Sequence, residues 1–210
     1  MESVADGDLI AVGADLDPQT LVTAYASGVF PMPVRRNRLG WWSPDPRGVL
    51  PLDGLVVSRS LRRSLHRYSV TVDGCFDRVI EACASAPRPH GWINSQIISA
   101  YVELHRWGLA HSIEVWAPDG SLVGGLYGVS LGGLFAGESM FQTATDASKV
   151  ALVGLVELLG LIPGALLDVQ WRTPHLASLG VIEMPRRDYL RAVAVALDAT
   201  DPFSRLRDPW

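Results

Sequence analysis

The sequence SIEVWAPDGSLVGGLYGVSLGGLFAGESMF, residues 112–141, decides the fold of this chain. Apolar residues alternate with small or polar residues over three runs of strand length. The sequences Pro118-Asp119-Gly120 and Leu131-Gly132-Gly133 separate these runs. Both sequences favour tight turns between antiparallel strands. The stretch therefore predicts an antiparallel meander of three strands.

Glycine is dense in this meander, which holds six of the 20 glycines of the chain between Gly124 and Gly137. Because glycine inside a strand lowers stability, its presence favours close approach of a backbone or a ligand. Glu138 lies between Gly137 and Ser139, near the end of the third run. It is a candidate site residue, although a solvated acid on a glycine-rich hairpin is the more common arrangement.

The order of the predicted helices and strands indicates an α+β fold. Capping residues, apolar spacing and C-terminal glycines predict helices that begin near Asp17-Pro18, Ser58, Cys75, Asn94, Asp146, Pro174 and Arg186. Residues 69–73 and 165–170 have the composition of strands. Helices that flank a mostly antiparallel sheet are typical of the α+β class.

The size and composition of the chain predict two domains of unequal size. The chain has 210 residues, 48% of them hydrophobic, which is enough to bury a sizeable core. Segments rich in proline and aromatic residues occupy its first quarter, and a boundary is expected near Pro51-Leu52-Asp53. We therefore expect a small N-terminal domain over residues 1–52 and a larger domain over residues 53–210.

The charge of the chain is unevenly distributed. Between Arg35 and Arg67, eight arginines against two aspartates give a net charge of +6, so the rest of the chain carries −10. A basic segment on an acidic body suggests an anionic partner, although an arginine-rich solvated surface would look the same.

The two cysteines, Cys75 and Cys83, lie eight residues apart without a cluster of further metal ligands. A metal site and a disulfide are both weakly supported, so we expect a reducing cytoplasm. We also expect a monomer. Acidic residues occupy the place of the basic region of a signal peptide. The longest apolar run, residues 151–167, contains Glu157 and Pro163 and is too short to span a membrane.

Asp168 and Gln170 lie two residues apart in a predicted strand, so their side chains leave the same face. Apolar neighbours suggest that Asp168 is partly buried. A buried aspartate has either a structural partner or a tuned chemical role, and the sequence does not decide between them.

Two other kinds of catalysis are possible but fit poorly. A serine hydrolase could combine Ser139, a histidine and Asp168, but Ser139 lacks the G-x-S-x-G sequence. An acyl-CoA-dependent N-acetyltransferase needs a glycine-rich pyrophosphate loop. Its nearest match, residues 88–93, lacks the final small residue.

Three tryptophans, Trp41, Trp42 and Trp92, lie beside proline or glycine, and the first two are inside the basic segment. Aromatic stacking together with arginine contacts to phosphate is typical of binding to a single-stranded nucleotide end. A role in anchoring a domain interface is the more common one for any single tryptophan.

Taken together, these motifs resemble the leucyl/phenylalanyl-tRNA–protein transferase family over almost the whole chain. The matching segments, in order, are GVFPM (28–32), WWSPDPR (41–47), WI (92–93), AYVELHRWGLAHSIEVW (100–116), LVGGLYGV (122–129), LFAGESMF (134–141), ASKVAL (147–152), LLDVQ (166–170) and HLASLG (175–180).

The resemblance implies that the protein moves leucine or phenylalanine from charged tRNA onto the N-terminal residue of another protein, marking it for degradation. It also implies a small N-terminal domain beside a larger one that resembles the N-acetyltransferases. The aminoacyl ester is already activated, so neither ATP, metal nor another cofactor is expected. The acidic body favours an acceptor that begins with Arg or Lys. The acyl-CoA-dependent acetyltransferase is the alternative.

The resemblance also implies catalytic roles for Asp168, Gln170 and Glu138. In the family, Gln170 is proposed to take the amine proton, Asp168 to polarise Gln170, and Glu138 to position the site. Because an amide is a poor base, we expect Gln170 to position the reacting groups. Asp168 as the base, and proton transfer within the substrate, are both open alternatives.

The resemblance implies further binding residues by position. The pocket for the donor side chain would comprise Leu126, Phe135, Met140 and Leu155. The terminal nucleotide of the tRNA would contact Met32, Trp41, Trp42 and Trp92. Separately, the charge of the basic segment predicts that Arg35, Arg36, Arg62 and Arg63 contact the phosphates of the tRNA. Some members of the family have Trp in place of Met32 and Phe in place of Leu155, so stacking and donor preference are expected to differ.

Overall fold

The computed structural model describes residues 7–34, 38–86 and 91–204. The strands are β1 (Leu9–Val12), β2 (Phe30–Pro33), β3 (Leu39–Trp42), β4 (Arg47–Leu50), β5 (Ser69–Val72), β6 (Ala110–Trp116), β7 (Leu122–Leu131), β8 (Leu134–Gln142), β9 (Leu166–Gln170) and β10 (Ile182–Met184). The helices are α1 (Pro18–Ala26), α2 (Arg59–Leu65), α3 (Phe76–Ser85), α4 (Ser95–Arg106), α5 (Ala147–Leu159), α6 (Pro174–Ser178) and α7 (Arg186–Leu197).

The predicted meander is confirmed as β6, β7 and β8, which pair antiparallel. Its glycines serve the close approach of protein atoms. A Cβ atom on Gly124 would lie 2.6 Å from the Cβ of Ala147 at the start of α5, and one on Gly128 would lie 2.3 Å from the carbonyl oxygen of Ala136. The dense glycines therefore let α5 and a neighbouring strand pack tightly against β7.

The meander belongs to a seven-stranded sheet with the order β10-β4-β9-β8-β7-β6-β5. The pairs within it are antiparallel except for β8 and β9, which α5 connects. Helices cover both faces: Leu126 packs in the core under α5, and the adjacent Tyr127 packs in the core under α3 and α4. The prediction of an α+β fold with a mostly antiparallel sheet is confirmed.

The parallel strands β8 and β9 separate before they end. Their pairing runs from Leu134 opposite Leu166 to Ala136 opposite Asp168, and β8 then continues as far as Gln142 without β9 beside it. Where the two strands no longer pair, an opening forms in the middle of the sheet, and side chains of both strands line it. This opening sets the position of the candidate site.

The N-terminal part forms a three-stranded sheet with the order β1-β3-β2, against which α1 packs. The strand β4 lies inside the predicted small domain of residues 1–52, yet it pairs with β9 and β10 in the large sheet. The first 52 residues thus contribute to both sheets, and the domain boundary stays a prediction.

The predicted helix starts are confirmed at Ser58 and Asn94, whose side chains accept hydrogen bonds from the backbone N–H of Leu61 (3.1 Å) and Ile97 (3.0 Å). The prediction that the side chain of Asp146 caps the next helix is wrong. Asp146 precedes α5 in a left-handed conformation, and its carboxylate binds Lys149 and Ser64. Across the described residues, no helix is long and apolar enough to cross a membrane.

Candidate functional site

A cavity of about 120 Å³ lies where β8 and β9 separate. Its walls are mostly apolar, and Glu138 from β8 and Gln170 from β9 bring polar side chains into it. The lining comprises Leu126, Tyr127, Gly137, Glu138, Ser139, Met140, Leu152, Leu155, Leu167, Val169, Gln170 and Leu176. A larger groove of about 610 Å³ lies elsewhere, between residues 14–17 and the start of α4. Size alone therefore does not identify the site; the convergence of polar groups on an apolar pocket does.

Glu138 is held by two buried tyrosines from different helices. The hydroxyl of Tyr25 in α1 donates to Oε1 of Glu138 (2.6 Å), and the hydroxyl of Tyr101 in α4 approaches Oε2 (3.3 Å). The two hydroxyls also hydrogen-bond to each other. Each carboxylate oxygen therefore keeps capacity for one more hydrogen bond, and Glu138 lines the cavity.

Burial raises the pKa of Glu138 from 4.5 to about 7. The negative charge of Asp168 adds to this rise, whereas the hydrogen bonds from Tyr25 and Tyr101 and the charge of Arg47 oppose it. Burial also raises the pKa of both phenols, and Glu138 adds to that rise. Near neutral pH the phenols therefore stay protonated, while Glu138 exchanges its proton readily.

Asp168 has a very different environment, because protein donors occupy all of its acceptor positions. Its Oδ1 accepts from Nε of Arg47 (2.8 Å) and from the backbone N–H of Gln170 (2.9 Å). Its Oδ2 accepts from Nη2 of Arg47 (2.6 Å) and from the hydroxyl of Tyr189 (2.9 Å). A carboxylate offers about four acceptor positions, so this one has none left for an amine proton.

Arg47 is a site residue that the sequence analysis missed, because it counted Arg47 among the surface charges of the basic segment. Its side chain is completely buried, and its Nη1 donates to the carbonyl oxygen of Gly28 (3.0 Å). The guanidinium also lies over the rings of Phe30 (4.9 Å) and Tyr189 (4.5 Å). Arg47 thus connects the end of α1 to Asp168 in β9. The signal that could have revealed it was its place at the end of WWSPDPR, the longest aromatic and proline motif.

Gln170 combines a strained backbone with an unused hydrogen-bond donor. Its φ of +60° lies in the left-handed region, which costs a residue other than glycine about 1 kcal/mol or more. The bond from its backbone N–H to Asp168 holds this conformation. The side chain is 7% exposed and lines the cavity, and its Nε2 has no hydrogen-bond partner among the described residues. A buried N–H donor without an acceptor costs free energy, so Nε2 of Gln170 is well placed to bind an oxygen atom of a ligand in the cavity.

Three of the four residues expected in the donor pocket, Leu126, Met140 and Leu155, line the cavity. Phe135 lies outside the lining: it is completely buried in the core, 5.7 Å from the ring of Phe203. Four further apolar residues line the cavity that were not expected from the sequence: Leu152, Leu167, Val169 and Leu176. Leu152 precedes Leu155 by about one helical turn, which was the available signal for that residue.

The tryptophans expected at the terminal nucleotide are largely engaged within the protein. Trp41 and Trp42 are 6% and 7% exposed, and their indole N–H groups donate to the carbonyl oxygens of Gly13 and Met32. Trp92 and Met32 are half-buried against the same core. Trp171, which the analysis missed, directly follows Gln170 and packs edge-to-face with Trp42, 6.3 Å away.

Four arginines of α2 and the turn after it, Arg59, Arg62, Arg63 and Arg67, are exposed and form what we call the α2 basic face. Within the described part of the chain, Arg59, Arg62 and Arg63 have no ion pair. The hydrogen bond from Lys149 is the main cause that lowers the pKa of Asp146, and the positive charge of Arg67 adds a small part. Arg35 and Arg36 lie outside the described residues.

Asp73, His105 and His111 bring potential metal-ligand atoms within 4.8 Å of one another. Both ring nitrogens of His111 already face acceptors, an oxygen of Asp73 (2.7 Å) and the carbonyl oxygen of Gly108 (3.1 Å). Nδ1 of His105 faces the carbonyl oxygen of Ala110 (2.8 Å). These contacts link β6 to the end of α4 and to the turn after β5, so a structural role accounts for this group of side chains.

Comparisons with known proteins identify the family that the chain resembles. Residues 49–194 match the family model described as leucyl/phenylalanyl-tRNA protein transferase, and residues 14–45 match the model of its N-terminal domain. Proteins named leucyl/phenylalanyl-tRNA–protein transferase are similar along most of the chain. The one from Pseudoalteromonas atlantica is 51% identical over 193 residues, covering 90% of this chain and 82% of the relative.

A second relative of that name, from Tolumonas auensis, is 48% identical over 199 residues, covering 92% of this chain and 84% of the relative. Among solved structures, L-PGS from Bacillus licheniformis aligns with a TM-score of 0.41 at 14% identity. It covers 63% of this chain and 49% of that chain.

Proposed function

The chain belongs to the leucyl/phenylalanyl-tRNA–protein transferase family, and we propose that it moves leucine or phenylalanine from charged tRNA onto the N-terminal Arg or Lys of acceptor proteins. The modified N-terminus would mark the acceptor for degradation by the N-end rule. The protein would act in the cytoplasm as a monomer. The observation that carries the proposal is the apolar cavity into which Glu138 and Gln170 converge from two separated strands.

The size of the cavity suits the side chain of one amino acid. Its volume of about 120 Å³ is well below the roughly 300–1,000 Å³ of a pocket for a drug-sized ligand. Leucine and methionine side chains of five elements form the wall, and a flexible methionine such as Met140 adapts to both leucine and phenylalanine. The aminoacyl group would therefore enter the cavity, while the rest of the tRNA stays outside.

The reaction needs little beyond positioning, because the ester on the terminal ribose is already activated. An attacking amine must lose a proton, and the carbonyl oxygen of the ester gains negative charge in the tetrahedral intermediate. The unpaired Nε2 of Gln170 is a donor suited to that oxygen. This role replaces proton uptake by Gln170, because an amide donates a hydrogen bond far better than it accepts a proton.

In this proposal Asp168 supports Gln170 through the backbone. Its carboxylate binds the backbone N–H of Gln170 and not the side-chain amide, while Arg47 and Tyr189 occupy its other acceptor positions. Asp168 would therefore fix the left-handed conformation that aims the amide into the cavity. Polarisation of the amide by Asp168, and Asp168 as the base, both lose support because every acceptor position of Asp168 is occupied.

The α2 basic face is the surface proposed to bind the phosphates of the acceptor stem. Phosphate contacts position a nucleic acid without reading its sequence, and each one releases counterions. Arg62→Ala with Arg63→Ala should weaken the binding of all tRNAs alike and reduce the salt slope of log K by about 1.4–1.8 for the two contacts. Arg191→Ala, a change of the same kind on α7, should leave the slope unchanged. A parent affinity independent of salt would contradict this part of the proposal.

The decisive experiment supplies purified protein with Leu-tRNA and peptides that differ only in their first residue, without ATP or added metal. We expect leucine on peptides that begin with Arg or Lys, detected by mass spectrometry, and no product with uncharged tRNA. Absence of transfer to every peptide would refute the proposed function. Acetylation of a peptide from acetyl-CoA would instead establish the acetyltransferase alternative.

A further inference from the structure

The Tyr25–Tyr101–Glu138 cluster has more close oxygen contacts than it has hydroxyl protons. Three contacts join the four oxygens: Tyr25 with Oε1 of Glu138, Tyr101 with Oε2 of Glu138, and Tyr25 with Tyr101. With Glu138 ionised, the two phenols supply two protons for three contacts. With Glu138 protonated, three protons fill three contacts, because Glu138 then donates to Tyr101, Tyr101 to Tyr25, and Tyr25 back to Glu138.

We propose that Tyr25, Tyr101 and Glu138 form a hydrogen-bonded ring that takes the proton of the attacking amine at Glu138 and returns it to the departing ribose oxygen. Glu138, which lines the cavity, is the catalytic residue in this step. Tyr25 and Tyr101 do not line the cavity and are positioning residues that act through Glu138. The inference rests on the proposed function and gives that reaction a route for its proton.

The step balances in atoms and charge. The lone pair of the amine nitrogen forms a bond to the ester carbon, and the carbonyl oxygen takes the displaced electron pair. The nitrogen loses a proton to Glu138. The carbon–oxygen bond to the ribose then breaks, the carbonyl reforms, and the ribose oxygen takes the proton from Glu138. Ester and amine become amide and alcohol, and Glu138 is ionised again.

The surroundings of Glu138 suit a group that gains and loses a proton in each cycle. A peptide α-amine titrates at about 7.7–8.0, and transfer to a base is efficient when the two pKa values are close. The charged and titratable groups that face Glu138 are Tyr25 from α1, Tyr101 from α4, Tyr127 from β7, Asp168 from β9 and Arg47 from β4. Asp168 is locked in its pair with Arg47, so Glu138 is the carboxylate that can move a proton.

The ring makes a prediction that substrate-free protein can test. Tyrosines labelled with ¹³C at Cζ and glutamates labelled at the carboxyl carbon are titrated by NMR. If the ring closes on protonation, Tyr25 and Tyr101 change their hydrogen bonds when Glu138 gains its proton, so all three signals share one midpoint near pH 7. Tyr68, whose hydroxyl binds the carbonyl oxygen of Thr145, serves as the internal control and should not follow. Phenol signals that stay constant through the Glu138 midpoint would overturn the ring.

Kinetics then connect the ring to transfer. Glu138→Gln should lower kcat by about 100-fold or more, the range of lost general-base catalysis. Tyr25→Phe and Tyr101→Phe keep the buried rings but remove one hydroxyl each. In each variant the midpoint of the pH–kcat profile should move by at least about 0.5 pH unit, and by the same amount as the NMR midpoint of Glu138. Tyr68→Phe should change neither.

The possible outcomes separate this inference from the function itself. A parent protein that transfers no leucine refutes the proposed function, whereas the NMR titration still reports on the ring. A parent-like kcat in Glu138→Gln, or a kinetic midpoint that ignores the NMR midpoint, refutes proton uptake at Glu138 while the function stands. Each buried hydroxyl also contributes to folding, so one of the variants Tyr25→Phe and Tyr101→Phe could fail to fold. The other variant then still decides the test.

Discussion

Two carboxylates, the buried Asp168 and the half-buried Glu138, lie on neighbouring strands but have opposite environments. Asp168 accepts four hydrogen bonds and forms a two-point ion pair with Arg47. Glu138 has phenols as its neighbours, and burial raises its pKa to about 7. Asp168 is paired with a cation and has no free acceptor position, whereas Glu138 has only neutral phenol donors and can exchange a proton near neutral pH. The comparison teaches that the more deeply buried acid is structural and the less satisfied one is suited to chemistry.

The largest effect should follow from removing the partner of Asp168. Arg47→Met leaves a buried carboxylate without its cation, so we expect the free energy of unfolding to fall by about 3–5 kcal/mol in urea denaturation. Asp168→Leu combined with Arg47→Met should recover most of this loss, since neither charge is then unpaired. If Arg47→Met alone unfolds like the parent, the two carboxylates do not differ as described.

The second effect is a loss of catalytic rate without a loss of stability. Gln170→Gly keeps the left-handed backbone, which glycine adopts without strain, and removes the amide. We expect kcat to fall by about 100- to 1,000-fold, as for other lost oxyanion donors, with a melting temperature close to that of the parent. Gln170→Ala serves as the matched variant: it lacks the amide too, but retains the backbone strain. Near-normal transfer by both variants would remove Gln170 from the mechanism.

The third and smallest effect is on the pH dependence of stability. Glu138 titrates near 4.5 when unfolded and at about 7 when folded, so between these values the folded protein binds more protons than the unfolded one. Stability should therefore fall as pH rises from about 4.5 to 7, and ionised Glu138 should cost about 1–3 kcal/mol above pH 7. Glu138→Gln should be more stable than the parent at pH 8, with little difference at pH 4. Equal stability of the two proteins at pH 8 would show that Glu138 is not destabilised by ionisation.

Much of the fold could be read from local patterns. The turns of the meander, the capping side chains of Ser58 and Asn94 and the strand before Gln170 all appear in the structure where the sequence placed them. These features depend on neighbours within a few residues, which a sequence displays directly. Asp146 shows the limit, because its carboxylate binds Ser64, a residue 82 positions away, and does not cap its own helix.

The site was only partly predictable for the same reason. Glu138 and Gln170 stand out by their settings, and three of the four expected pocket residues do line the cavity. Phe135 does not: it packs in the same core cluster as Leu126 and Leu155, but it lies on the part of β8 that still pairs with β9, opposite Leu167 and before the strands separate. Arg47 was hidden because a buried and an exposed arginine look alike until the partner, here Asp168 at a distance of 121 residues, is known.

The sequence by itself determined the α+β class, the order of the elements and the residue types available for aminoacyl transfer. Those depend on periodicity, turn chemistry and motif content, which are local in the chain. The tertiary structure alone decided which acid is locked and which can carry a proton. That difference arises from Arg47 beside Asp168 and from Tyr25 and Tyr101 beside Glu138, contacts between elements far apart in sequence. Burial and neighbouring charges set the behaviour of a carboxylate, and both exist only once the chain has folded.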